Sequence, residues 1–319
     1  MIITVTPNPS IDRTIALPGP LERGAVQRVD SVLSQPGGKG VNISRACVAA
    51  GVDTVAVLPA AADDPMVAEL SATGVVCQPV APAGPMRVNL TITEPDGVTT
   101  KLNAAGAAVG PHDLDALVDA ALSGPRGAWV VLAGSLPPGA DPQWYVGATA
   151  RLRAAGMRVA VDTSGDALDA VIAALAPGEG PDLLKPNAEE LAGATGAAVS
   201  DVHEDAGTAA AAARTLLDRG AGAVLATLGG AGAVLVDATG AWHAVPPPTT
   251  VVSTVGAGDA SLFGHLVADL RGADGPGRLA SAVAHGSAAA GLPGTTAPTP
   301  ADVRTDLVGV AALDLSTAH

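Results

Sequence analysis

Short apolar runs alternate with alanine-rich stretches along most of this chain. Ile-Ile-Thr-Val-Thr, beginning at residue 2, is the first run, and residues 54–60, 128–134, 157–164, 182–186 and 222–229 repeat it. These runs are nearly continuous rather than alternating, which predicts strands buried on both faces. Between them, residues 38–51, 142–156 and 206–220 read as helices, and each closes on glycine, a residue favoured just past a helix C-terminus. Such a chain predicts an α/β fold with a mostly parallel sheet and helices on both faces. No linker-like stretch interrupts it, so 1–319 is expected to form a single domain.

One region follows a different period. Met86, Val88, Leu90 and Ile92 point one way, and Arg87, Asn89, Thr91 and Thr93 the other. Glu-Pro-Asp-Gly follows, in which proline presets φ and glycine accepts a positive φ. Thr99, Lys101 and Asn103 then oppose Val98, Thr100 and Leu102. This predicts a hairpin with one polar face, on which Arg87, Asn89, Lys101 and Asn103 can all donate to anions or hydroxyls. A solvated outer face and a ligand-facing surface are both open readings.

Composition narrows the partners. Hydrophobic residues make up 48% of the chain and aromatic residues 2%, so Ala, Val and Leu must fill the core. A net charge of −14 argues against a nucleic-acid partner, though not against small anions held by a few placed cations. Cys47 and Cys77 form neither a disulfide framework nor a zinc pattern, and are expected as buried thiols in a reducing compartment. The N-terminal residues do not read as a secretory signal, and no apolar run reaches the ~18 residues of a membrane span. A cytoplasmic protein without a membrane partner is the expectation.

Five motifs carry candidate chemistry. Gly-Gly-Lys-Gly-Val-Asn, residues 37–42, brings glycines around Lys39 just before a helix; it is either a turn or a backbone cradle completed by Asn42. Asp12 follows the first strand, at the edge where open α/β sheets bind ligands, and is either a turn residue or an acceptor for hydroxyls. Asn187 and Glu190 in Lys-Pro-Asn-Ala-Glu-Glu-Leu have capping-box spacing, and their oxygens equally suit Mg2+ and its waters. Thr227-Leu-Gly-Gly-Ala-Gly reads as a strand end and a glycine turn, either a plain hairpin or a passage beside a nucleotide.

The fifth motif is Ser-Thr-Val-Gly-Ala-Gly-Asp, residues 253–259. Leu262, Phe263, Leu266, Val267 and Leu270 recur at helical spacing, so a helix is expected to start near Asp259. Gly256 and Gly258 then aim amides and the positive helix end at an anion. A dinucleotide-binding oxidoreductase is disfavoured, because the first strand is followed by the glycine-free Thr-Pro-Asn-Pro-Ser. Asp259 would be unwelcome beside a merely bound anion, but suits phosphoryl transfer as the acceptor of a hydroxyl proton. The helix dipole is expected to keep it ionised and a weak base.

Taken in order and spacing, Thr-Pro-Asn-Pro-Ser-Ile-Asp, Gly-Gly-Lys-Gly-Val-Asn, Gly-Ser-Leu-Pro-Pro-Gly, Lys-Pro-Asn-Ala-Glu-Glu-Leu and Ser-Thr-Val-Gly-Ala-Gly-Asp resemble the ribokinase-like (PfkB) carbohydrate kinases over essentially the whole chain. The opening motif, residues 86–93 and Lys-Leu-Asn-Ala-Ala-Gly look most like the branch acting on phosphorylated ketohexoses, the 1-phosphofructokinases and tagatose-6-phosphate kinases. The resemblance implies a Rossmann-like core with a small β lid from about 10–35 and 84–104. It also implies ATP and Mg2+, conversion of fructose 1-phosphate to fructose 1,6-bisphosphate, and a homodimer formed through the lid. Tagatose 6-phosphate and fructose 6-phosphate stay open as substrates. Asp259 would be the base and Gly256, Ala257 and Gly258 the anion hole. Asp12, Gly38 and Asn42 would hold sugar hydroxyls; Arg87, Lys39 and Ser135 would meet the existing phosphate. Lys185, Asn187 and Glu190 would face the nucleotide and Mg2+, the last two through water. Thr227, Gly229, Gly230 and Gly232 would line the nucleotide, with His285 and Ser287 beside the adenine. Many family members have Asp-Thr where this chain has Ser253-Thr254, which leaves use of a monovalent cation open.

Overall fold

The computed structural model describes residues 1–315, so the last four residues of the expected domain lie outside the description. Among the described residues there are two sheets. The larger runs, edge to edge, β14 (Gly309–Ala312), β13 (Gly240–Val245), β12 (Ala233–Asp237), β11 (Ala223–Thr227), β10 (Leu183–Leu184), β9 (Arg158–Asp162), β8 (Trp129–Ala133), β1 (Ile2–Val5), β4 (Thr54–Pro59) and β5 (Val76–Val80). Every pairing from β5 through β11 is parallel, and β11 through β14 close the other edge as an antiparallel meander. The continuous apolar runs are therefore central strands: β1, β8 and β12 are buried at every position.

Alternate residues of these strands enter two different cores, which makes the three layers. Ile3, Val5, Val130, Leu132, Val159 and Val161 pack with Leu117, Tyr145, Leu152, Leu168, Leu191 and Leu216 from helices on one face. Ile2, Trp129, Val131, Ala160, Leu183 and Leu225 pack on the other face with Ile43 and Cys47 of helix Lys39–Ala49, with Leu262, Phe263 and Leu266 of helix Ala257–Leu270, and with Leu279 and Val283 of helix Gly275–Ala290. Cys47 is buried as expected; Cys77 is only half-buried. No helix among the described residues is long and apolar enough to cross a membrane.

The smaller sheet is ordered β3 (Ser31–Gly37), β2 (Ser10–Ala16), β6 (Arg87–Thr93) and β7 (Thr99–Leu102). Register fixes its faces: Ser10 lies opposite Arg87, Asp12 opposite Asn89, and Thr91 opposite Lys101. The expected polar face thus extends across β2, while Asn103 falls just past the end of β7. Ile11, Ile15, Val88, Leu90, Ile92 and Leu102 share the opposite face. In the large sheet the chain runs outward from β1 in both directions, to β4 on one side and β8 on the other. A ligand site is expected just beyond such a switch point, at the strand C-termini.

Candidate functional site

Helix Ala257–Leu270 begins two residues earlier than its apolar spacing suggested. Gly256 is its N-cap in the left-handed region, φ 80°, where a side chain would be strained, and no side chain caps the first turn. Gly258 and Asp259 both sit in that turn, with the helix's positive end.

Asp259 is buried, at 6% exposure. Asn42 Nδ2 donates to its Oδ2 at 2.8 Å, and Lys39 Nζ stands 3.8 Å from its Oδ1. Burial pushes the Asp259 carboxyl above the usual range; Lys39 opposes this, and the negative charge of Asp162 adds to it. This direction is opposite to the one that the helix terminus alone would give. The helix terminus is worth about 0.3–1 kcal/mol to a charge, whereas withdrawing a carboxylate from water costs several kcal/mol.

Asp162 is a residue that the sequence reading passed over as a strand end. Its Oδ1 meets Lys39 Nζ at 2.9 Å and its Oδ2 meets Lys185 Nζ at 3.1 Å. Burial works against its charge, yet the two ammonium groups hold the carboxyl below the usual range. The same pairing keeps Lys39 charged: burial lowers its pKa, but Asp162 and Asp259 raise it further. Lys185 lies beneath the first turn of helix Ala257–Leu270, its Nζ 3.5 Å from where a Cβ on Gly258 would be. A carboxylate ending a buried parallel strand was the available signal, the same argument that had singled out Asp12. Lys39, expected with Arg87 and Ser135, stands 2.9 Å from Asp162 and 3.8 Å from Asp259.

The smaller sheet presents a second group. Asp12 Oδ1 accepts from Ser10 Oγ at 2.7 Å and from Asn89 Nδ2 at 2.9 Å, and its other oxygen lies against Gly37, where a Cβ would collide with it. Gly38, φ 119°, caps helix Lys39–Ala49, and a Cβ there would press on Thr6. Arg87 Nη1 donates to Ala104 O at 3.0 Å while its Nε is buried without a partner. Asn42 Oδ1 is likewise a buried acceptor without a partner. Lys101 and Asn103 are exposed. Ser135 follows β8, next to Gly134, whose carbonyl accepts from Tyr145 Oη at 2.6 Å and Thr163 Oγ1 at 2.9 Å.

On the third side, Asn187 and Glu190 form the capping box that their spacing suggested. Asn187 Oδ1 accepts from the Glu190 N–H and Glu190 Oε2 from the Asn187 N–H, both at 2.8 Å. Asn187 also bridges to Thr227, the last residue of β11. Gly229, Gly230 and Ala231 make a 3-10 turn joining β11 to β12. At Gly232, φ 96°, a Cβ would strike the Ala244 carbonyl. His285 turns into the helix pair: its Nδ1 bonds Ser281 O at 2.8 Å and its ring meets Phe263 edge-on, centroids 5.2 Å apart. Ser287 Oγ lies 2.5 Å from Thr249 Oγ1. No cluster of three or more His, Cys, Asp or Glu suited to a metal occurs among the described residues.

The similarities point the same way. The family model described as pfkB family carbohydrate kinase matches residues 5–302. A 1-phosphofructokinase of Rhodobacter capsulatus is 39% identical over 282 residues, 86% of this chain and 85% of that protein. An ATP-dependent 6-phosphofructokinase isozyme 2 of Escherichia coli K12 is 33% identical over 276 residues, 84% of this chain and 85% of the relative. Among solved structures, phosphofructokinase-2 from Escherichia coli in complex with substrates and products superposes with a TM-score of 0.86 at 29% identity, covering 96% of this chain and 99% of that one.

Proposed function

The chain belongs to the pfkB family of carbohydrate kinases, and from that premise we propose that it phosphorylates fructose 1-phosphate with ATP to give fructose 1,6-bisphosphate. One observation supports the reaction above others. Asn42 donates to Asp259 through Nδ2 while its Oδ1 is a buried acceptor without a partner, so a neighbouring sugar hydroxyl can donate to Asn42 Oδ1 and leave the reacting hydroxyl to face the Asp259 carboxylate. Asp259 takes the hydroxyl proton as the oxygen bonds to the γ-phosphorus and the bond to ADP breaks. A loose transition state asks little early deprotonation, and a carboxyl of raised pKa is the better base. The amides of Gly256–Gly258, with Lys185 beneath them, face the charge on the transferring group. Lys39 stands between that base and Asp162.

Arg87 and Ser135 are proposed to hold the substrate's existing phosphate, with the unpartnered Arg87 Nε as the supporting observation. Asp12, Gly38 and Asn89 would position the hydroxyls, and exposed Lys101 and Asn103 would close over the sugar. The small sheet would then act as a lid. Thr227, Gly229, Gly230 and Gly232 would border the nucleotide. His285 supports adenine only by packing, since its ring already serves Phe263 and Ser281.

The donor set fits Mg2+ held through water. Capping occupies one oxygen of Glu190 and leaves its second free, a hard ligand aligned by Asn187. When bound, Mg2+ would neutralise charge on the nucleotide phosphates. Ser253 accepts from the Val255 N–H at 3.2 Å and brings no charge, so a monovalent cation is left out of the proposal. The apolar face of the small sheet, where Val32 is 54% and Leu102 53% exposed, is read as the contact with a second copy.

The 6-phosphofructokinase relative favours fructose 6-phosphate as the second reading. Coupled ADP release with fructose 1-phosphate, fructose 6-phosphate, tagatose 6-phosphate and plain fructose separates the two. The proposal expects the highest kcat/KM with fructose 1-phosphate; a higher value with either 6-phosphate overturns that assignment.

A further inference from the structure

The two groups proposed to hold the substrate phosphate stand on different sheets. Arg87 is on β6 of the small sheet, and Ser135 follows β8 of the large one. Something must fix the distance between them, since phosphate recognition fails when its donors drift by a fraction of an ångström. Asn8 sits where the chain crosses from β1 to β2, buried and flanked by Pro7 and Pro9. Its Nδ2 donates to Ala105 O at 3.0 Å and to Leu136 O at 3.4 Å. Its Oδ1 lies against Gly106, φ 98°, where a Cβ would overlap it.

Each of these contacts leads to one arm of the site. Ala105 follows Ala104, whose carbonyl accepts from Arg87 and whose N–H donates to Asn89 Oδ1 at 3.2 Å. Leu136 follows Ser135 directly. One amide group therefore ties the segment that carries the Arg87 contact to the loop that carries Ser135. The prolines on both sides fix φ at their own positions and stiffen the crossing. We propose that Asn8 is a positioning residue that sets the gap between the Arg87 and Ser135 arms, and so determines affinity for the phosphate of the sugar.

This rests on the phosphate-site reading above, and the experiment keeps the two apart. Dissociation constants are measured by calorimetry for wild type, Asn8→Ala and Asn8→Asp, with ATP and with whichever phosphosugar of the panel wild type turns over fastest. Which sugar that is tests the substrate; the ratio between variant and wild type tests Asn8. Asn8→Asp keeps the volume and removes both donors. The backbone bond from Val109 N to Pro138 O, 2.9 Å, still joins the same two segments, so both variants should fold. The phosphosugar constant is expected to rise about tenfold or more, as for loss of one or two buried hydrogen bonds, while that for ATP stays unchanged. A phosphosugar constant equal to wild type in both variants overturns the proposal. Equal weakening of ATP and sugar overturns it too, because that marks a general loss of structure.

Discussion

Helix Ala257–Leu270 carries two aspartates in opposite situations. Asp259 lies in its first turn, over the C-terminal edge of the sheet; Asp269 lies in its last turn, over the N-terminal edge. Ten residues of helix put them about 15 Å apart. Asp269 receives Arg158 through both terminal guanidinium nitrogens, Nη1 at 2.5 and Nη2 at 3.0 Å, and Trp129 Nε1 at 2.9 Å, with Arg278 at 3.4 Å. Arg158 in turn stacks on Trp129, 3.9 Å from the ring centroid. Burial works against its charge, but Arg158 and Trp129 hold its carboxyl below the usual range. Asp259 receives one neutral amide and a lysine at 3.8 Å, and its carboxyl is pushed up. By position alone the helix dipole would favour the charge on Asp259 and disfavour it on Asp269. Partners and burial reverse that order. The carboxylate with a purely stabilising set of partners is fully paired; the one proposed to accept a proton is left short of them.

Asp259→Asn should break the comparison most sharply. Loss of the base is expected to lower kcat by about 10²–10⁴-fold, with the phosphosugar constant nearly unchanged. Stability should move the other way. A carboxyl raised in the folded state favours folding below the ordinary aspartate pKa and loses that contribution as pH rises through the folded value. At pH 7 the substitution removes a penalty, so Tm should increase. Unchanged turnover would remove Asp259 from the chemistry.

Asp162→Asn comes next. It leaves Lys185 buried beside a neutral amide, and breaking such a pair costs about 3–5 kcal/mol. Denaturant unfolding should show that loss, together with reduced kcat as Lys39 loses its 2.9 Å partner. A stable, fully active variant would show that the two lysines need no anchor.

Asp269→Asn gives the smallest effect, confined to stability. Its folded carboxyl is depressed, so it contributes stability above the unfolded pKa that is lost as pH falls through the folded value. Stability at pH 7 should therefore drop by ~1.5–3 kcal/mol, as for charged hydrogen bonds, and Tm should fall with it. Turnover should stay within about twofold, since distant sites rarely couple more strongly. A large loss of turnover would show that both helix ends serve catalysis.

The parts of this picture with a local cause were legible in the sequence. Continuous apolar runs marked β1, β8, β9 and β11, and strict alternation marked β6 with its polar face. Gly256 and Asp259 declared a helix start with chemistry at it. β3 has no local signature, because Ser31–Gly37 is largely exposed and has no apolar period; the resemblance alone implies a lid from about 10–35. Asp162 was missed because its meaning comes from two lysines, 123 and 23 positions away in the chain, that reach it only in the fold. The direction of the Asp259 shift was misjudged for the same reason: the helix dipole can be read locally, whereas burial in the fold beside a second carboxylate cannot.

The contrast between the two aspartates is tested most directly by their own titrations. In protein labelled with 13C at the aspartate carboxyls, the two resonances can be assigned by their disappearance in Asp259→Asn and Asp269→Asn and followed downward from pH 7. Asp259 should begin to protonate at a distinctly higher pH than Asp269. Protonation of Asp269 first, or of both together, would contradict the account.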